Sequence, residues 1–126
     1  MADRACMAII NNNQILLVKQ SYKDKIIWTM PGGSIHENET PEEAAVRESK
    51  EEVKLNTKVI KLLYSGKRTT GIGYYYCFLG EIISGKAALG SDPELPADGQ
   101  ELMELKWWDI EQVKEYHEIS RILPSI

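Results

Sequence analysis

Apolar residues along this chain fall into short runs, alternating or continuous, separated by residues that favour turns. "ACMAIINNNQILLVKQ" holds two such runs around Asn11, Asn12 and Asn13, side chains that tolerate turn geometry and cap their own backbone. The pattern predicts a β-hairpin with strands at 5–10 and 14–20. "SYKDKIIWTMPGG" continues as a loop and a short extended piece, because Pro31 disfavours helix at Met30, and the two glycines behind it predict a tight backbone turn.

Thr40 to Glu52 carries the signals of a helix start: Thr40 as N-cap, Pro41 at the first helical position, and Glu43 three residues after the cap to close a capping box. Glu42 and Glu43 also suit the positive end of the helix dipole. Beyond it, "TKVIKLLYSG" and "GYYYCFLGEII" are β-branched and aromatic enough to predict strands. Gly85 to Gly99 is rich in Gly, Pro and Asp and predicts a loop, followed by a strand near "MELKWWD" and a helix near "IEQVKEY". Strands with one early and one late helix imply an α/β fold of the α+β kind, a mixed sheet with helices packed on its faces.

Composition narrows the classes. With 126 residues and 43% hydrophobic content, the expectation is one domain, 1–126, around a single core. A net charge of -4 argues against a nucleic-acid polymer as partner, since backbone phosphates are met by clustered Lys and Arg. Cys6 and Cys77 lack the short spacing of metal or redox motifs and read as buried free thiols. "MADRACMAII" has no basic segment followed by an apolar core, and no run approaches the roughly 20 apolar residues of a membrane span. The expected location is cytoplasmic, with no membrane partner.

Charge becomes informative on the early helix. Successive helical residues turn about 100°, so Glu48, Glu51 and Glu52 project within about 100° of one another. Val46, Ser49 and Val53 lie on the opposite arc, which predicts a packed face and a carboxylate face. Like charges at these spacings cost a few tenths of a kcal/mol per pair in an isolated helix. Either the face is a solvated acidic surface softened by Arg47 and Lys50, or it binds a hard divalent cation that takes oxygen ligands.

The spacing resembles a known motif. From Gly33 five residues lead to Glu39, seven more to Arg47 and Glu48, and then Ser49, Lys50, Glu51, Glu52, Val53, Lys54 and Leu55 follow. This run is similar to the Nudix box, with Ser49 standing where the family usually has an aliphatic residue and Lys54 where it has glycine. "ILLVKQ", "WTMPGG" and "ELMELKWWDIEQV" resemble the flanking family pattern, so the likeness covers most of the chain.

The resemblance implies a Nudix-type α/β/α sandwich and a hydrolase that cleaves the pyrophosphate linkage of a nucleoside diphosphate derivative or nucleoside triphosphate. It implies that Glu48, Glu51 and Glu52 hold Mg²⁺, or Mn²⁺ in its place, with the Gly32 carbonyl completing the shell. The metal would neutralise the diphosphate and activate water for in-line attack at phosphorus. Arg47 is then an orienting partner for a carboxylate such as Glu39 or Glu51. Family members often add an acidic residue before the late tryptophan strand, for which Glu101 comes first, Asp98 second and Glu94 third.

Substrate contacts are less legible. Gly33 and Glu39 belong to the loop around the phosphates; Trp28, Tyr74 and Tyr76 could stack a base; Arg4, Lys19 and Arg68 could meet phosphates. The resemblance also brings subgroup markers. Thr70 stands where the ADP-ribose subgroup has proline, and Tyr74 lies one position beyond the window for the tyrosine of diadenosine polyphosphate enzymes, so neither marker is met. A non-catalytic nucleotide sensor on the same fold is the alternative function, and a homodimer is compatible with either.

Overall fold

A computed structural model describes residues 3–22, 24–68, 72–90 and 101–126, without the side chains of residues 22 and 101. Strands β1 (Arg4–Asn11) and β2 (Gln14–Tyr22) form the expected hairpin. Asn12 and Asn13 both adopt left-handed backbone, φ 52° and 62°, which sets Ile10 opposite Ile15. The "SYKDKIIWT" stretch holds more order than a loop: β3 (Lys25–Thr29) pairs antiparallel with β2, Val18 facing Thr29 and Tyr22 facing Lys25.

The two hairpin strands then part company. β1 runs parallel to β6 (Tyr74–Ser84), which pairs antiparallel with β5 (Asn56–Lys67), while β2 sits between β3 and β7 (Glu101–Asp109). A three-residue strand, β4 (Gly32–Ser34), lies along the other edge of β1. Among the described residues these strands make one mixed sheet, ordered β3-β2-β1-β6-β5, with β4 on β1 and β7 on β2.

Helices cover both faces. α1 (Pro41–Val53) packs Ala44, Ala45 and Val53 against Met7, Ile9, Leu16 and Val18. On the other side α2 (Ile110–Val113) and α3 (His117–Ile122) bring Val113, Ile119 and Ile122 against Cys6, Ala8, Ile15 and Leu17. Alternate residues of β1 and β2 thus enter different cores, which is why both strands read as nearly continuous apolar runs. The single late helix expected at "IEQVKEY" is instead two short ones. Tyr116 breaks into extended backbone (φ -65°, ψ 135°), and its N–H closes a turn onto the Val113 carbonyl at 3.0 Å. No helix among the described residues is long and apolar enough to cross a membrane. Both cysteines are buried free thiols, and they stand opposite each other in the β1–β6 register.

Candidate active site

The start of α1 is built as its sequence predicts. Thr40 Oγ1 accepts from the Glu43 N–H at 3.1 Å, and Glu43 Oε1 accepts from the Thr40 N–H at 2.9 Å. The helix ends at Lys54, whose left-handed backbone (φ 63°) stands where a glycine would be relaxed, with its N–H on the Lys50 carbonyl at 3.2 Å. Ser49, at the family's aliphatic position, is buried and returns its hydroxyl to the Ala45 carbonyl at 2.9 Å.

The carboxylate face departs from the simple division into packed and polar arcs. Glu48 is 0% exposed and Glu52 3%, so two of the three carboxylates are themselves buried, while Val46 is only partly so. The physical reason is β4, which lies against this face. The Gly32 N–H donates to Glu52 Oε1 at 3.2 Å, and a Cβ added at Gly33 would fall on the Glu48 carboxylate. A Cβ at Gly32 would come within 2.6 Å of Cys6 Cβ. Both glycines are therefore where strand and carboxylates approach too closely for any side chain.

Arg47 ties the acidic groups together. Its Nε donates to Glu39 Oε2 at 2.7 Å and its Nη2 to Glu39 Oε1 at 3.1 Å, a two-pronged pair. Nη2 also reaches the Ser34 carbonyl at 2.9 Å, while Nη1 donates to Glu48 Oε2 at 3.2 Å and Glu51 Oε1 at 3.1 Å. The Arg47 hydrogen bonds hold the Glu39 carboxyl below the usual carboxylate range; partial desolvation opposes this, and the His36 N–H adds to it.

The donor chemistry fits a hard divalent cation. Glu48, Glu51, Glu52 and the Gly32 backbone offer oxygen. The nearby Cys6 thiol is pushed well up, first by burial and then by Cys77, and so stays a protonated, poor ligand. Among the described residues no three acidic, His or Cys side chains already surround a common point, consistent with Arg47 Nη1 lying between Glu48 and Glu51. Glu101 opens β7 opposite Ser21 rather than lying in a loop; its side chain, and the whole of Asp98, Glu94 and Thr70, lie outside the described residues.

Beside Gly32 and Gly33 opens a cleft of about 410 Å³, and Arg4, Trp28 and Arg68 line it. Trp28 is braced edge-on by Trp108, ring centres 5.2 Å apart. The structure does not bring the other sequence candidates here. Lys19 faces Glu104 at 3.8 Å, and Tyr74 stacks on Tyr76 at 6.4 Å on an exposed part of β6; neither they nor Tyr76 line the cleft.

Two residues of the cleft wall went unread in the sequence. Glu118 accepts from Thr29 Oγ1 at 2.9 Å, from the Met30 N–H at 3.0 Å and from the Tyr75 hydroxyl at 2.9 Å. Arg121, one turn later on α3, stacks on Tyr64 and Tyr75 at 4.6 and 4.7 Å. Their three-residue spacing on an apolar-faced helix was the available signal, hidden because the late helix was expected to finish earlier.

A family model described as the NUDIX domain matches residues 1–125. The chain belongs to the NUDIX family. It is 36% identical over 104 residues to a Bacillus subtilis (strain 168) protein provisionally named an 8-oxo-dGTP diphosphatase, covering 82% of this chain and 63% of that one. It is 38% identical over 89 residues to an ADP-ribose pyrophosphatase of Methanocaldococcus jannaschii, covering 67% of this chain and 53% of that one. This NUDIX chain thus spans less than two thirds of the length of either relative. The solution structure of the E. coli ORF135 protein superposes with a TM-score of 0.71 at 19% identity over 95% of this chain and 84% of that one, a likeness of fold.

Proposed function

We propose that this NUDIX protein hydrolyses the pyrophosphate linkage of a nucleoside diphosphate derivative or nucleoside triphosphate with the help of Mg²⁺. The observation that carries the reading is the meeting of Glu48 and Glu52 with the Gly32–Gly33 backbone at the edge of an open cleft, with Glu51 joined to Glu48 through Arg47. Relatives named a diphosphatase and a pyrophosphatase support the same class of bond.

Glu48, Glu51 and Glu52 would hold the cation, with the Gly32 carbonyl as a further ligand. When bound, the cation supplies charge neutralisation on the diphosphate and acidifies the attacking water. Arg47 bridges Glu48 and Glu51 and Glu39 anchors Arg47 in turn, so the guanidinium offsets the repulsion between these carboxylates and would move from between them when the cation arrives. Glu101 is the proposed additional acid. The cleft takes the remainder of the substrate, with Trp28, Arg4 and Arg68 on its wall.

The test is a panel of dinucleotides, nucleotide sugars, and standard and oxidised triphosphates, scored for product with and without Mg²⁺ or Mn²⁺. Metal-dependent cleavage of at least one diphosphate or triphosphate linkage is expected. Tight binding with no product after long incubation would instead favour a nucleotide sensor on the same fold.

A further inference from the structure

Glu51 and Glu52 stand on the last turn of α1, which ends at Val53. That is the least favourable place on a helix for gathered carboxylates. The last four carbonyls have no partner further along the helix, so the turn tends to fray, and the negative end of the helix dipole repels anionic side chains. Glu48 adds like charge three and four residues away. The Lys54 N–H closes onto the Lys50 carbonyl at 3.2 Å, which leaves the carbonyls of Glu51, Glu52 and Val53 to be met from outside the helix.

Residues 85–90, which follow β6, meet this helix end one carbonyl after another. A Cβ added at Gly85 would lie 2.8 Å from the Lys54 carbonyl oxygen, the Ala88 N–H donates to the Val53 carbonyl at 3.1 Å, and the Gly90 N–H donates to the Glu52 carbonyl at 2.7 Å. A Cβ added at Gly90 would fall on the Glu51 carbonyl. The segment thus runs back along the helix over four successive carbonyls, from 54 to 51, and Ala87 secures it by packing against the core that α1 covers. Glu52 is gripped at both ends, its carbonyl by Gly90 and its carboxylate by the Gly32 N–H at 3.2 Å. None of residues 85–90 lines the cleft beside Gly32 and Gly33.

We infer that residues 85–90 form a strap that fixes the last turn of α1, and that Gly90 is a positioning residue for the Glu51 and Glu52 carboxylates. The inference rests on the proposed function, in that these carboxylates hold the cation there. Gly90 acts through backbone alone, by the N–H it gives and by the side chain it lacks. A methyl group at Gly33 would meet the end of a side chain that can swing aside, whereas one at Gly90 would meet main chain. Either the strap or the turn must then move, and the direction in which Glu51 and Glu52 project moves with it.

Two measurements on Gly90→Ala test it: titration with Mn²⁺, read by the electron paramagnetic resonance of the free ion, and the amide resonances of the metal-free protein. Val113→Ala, which opens a cavity in the core on the other face of the sheet, is the control for lowered stability with the strap intact. Gly90→Ala should bind Mn²⁺ about tenfold more weakly, as when other groups that orient metal ligands are removed. It should also shift the Gly32 amide resonance, whose proton is bonded to the Glu52 carboxylate. Val113→Ala should keep Mn²⁺ affinity within about twofold of the parent and leave the Gly32 resonance in place. If Gly90→Ala does not fold by circular dichroism, Ala88→Pro, which takes away the N–H given to the Val53 carbonyl, carries the comparison. Mn²⁺ affinity within about twofold of the parent in the strap variant, or an equal loss in Val113→Ala, overturns the inference. Should the parent itself bind no Mn²⁺, the proposed cation site falls; a Gly32 resonance unmoved by Gly90→Ala then overturns this inference as well, while a moved one sustains the hold of the strap on Glu52.

Discussion

Arg47 and Glu39 form a two-pronged ion pair, Nε to Oε2 at 2.7 Å and Nη2 to Oε1 at 3.1 Å, and the same guanidinium spans Glu48 and Glu51. A lysine could keep the charge but not these simultaneous directions. Arg47→Lys is therefore expected to lower stability by about 1–3 kcal/mol in urea unfolding, the range for losing hydrogen bonds to charged groups. It should also lower turnover, because Glu48 and Glu51 lose their common partner.

The same pair makes stability depend on acid. Glu39 has its carboxyl held down by Arg47, so the folded form binds its proton later than the unfolded chain does. Its contribution is full above the unfolded carboxylate value of about 4.3 and is lost as the pH falls through the lower folded value. Thermal melts from pH 6 to pH 3 should show a shallower decline for Glu39→Gln than for the parent, with the variant already less stable at pH 6. Parallel curves would exclude Glu39 as a source of the acid sensitivity.

Gly33→Ala tests how closely β4 and α1 approach. The added methyl group would fall on the Glu48 carboxylate, the far end of a side chain that can swing aside, so the sheet should survive while the carboxylate moves. Activity is expected to drop by roughly a hundredfold, as for other single disturbances of a preorganised charge site, with near-native circular dichroism.

Lys54 should be improvable. Relief of about 1 kcal/mol of left-handed strain outweighs roughly 0.5 kcal/mol of added freedom in the unfolded chain, so Lys54→Gly should raise the melting temperature slightly. Gly85→Ala should act in the opposite direction, since its φ is 101° and the new Cβ would lie 2.8 Å from the Lys54 carbonyl oxygen.

What the sequence made legible was local. Asn12 and Asn13 announce their turn, and Thr40, Pro41 and Glu43 announce the helix start, because each acts on backbone within three residues. The helical wheel gathered Glu48, Glu51 and Glu52 correctly in angle. It could not show that β4 would cover two of them, Glu48 and Glu52, since the order of strands in a sheet is a long-range fact. Glu118 reaches Thr29 and Met30 across 88 or 89 residues, and Cys6 meets Cys77 across a parallel pairing, contacts that no local pattern encodes. The resemblance supplied what periodicity could not, the chemistry expected of the carboxylates.

The most direct test of the central claim compares kcat for the best substrate of the panel in the parent protein and in Glu52→Gln at saturating Mg²⁺. Glu52 is buried beside the Gly32 N–H, and glutamine keeps its shape and one oxygen acceptor while removing the charge. A fall of roughly a hundredfold or more with an unchanged melting temperature is the predicted result. Turnover within about threefold of the parent would contradict the assignment of this helix face to a catalytic cation.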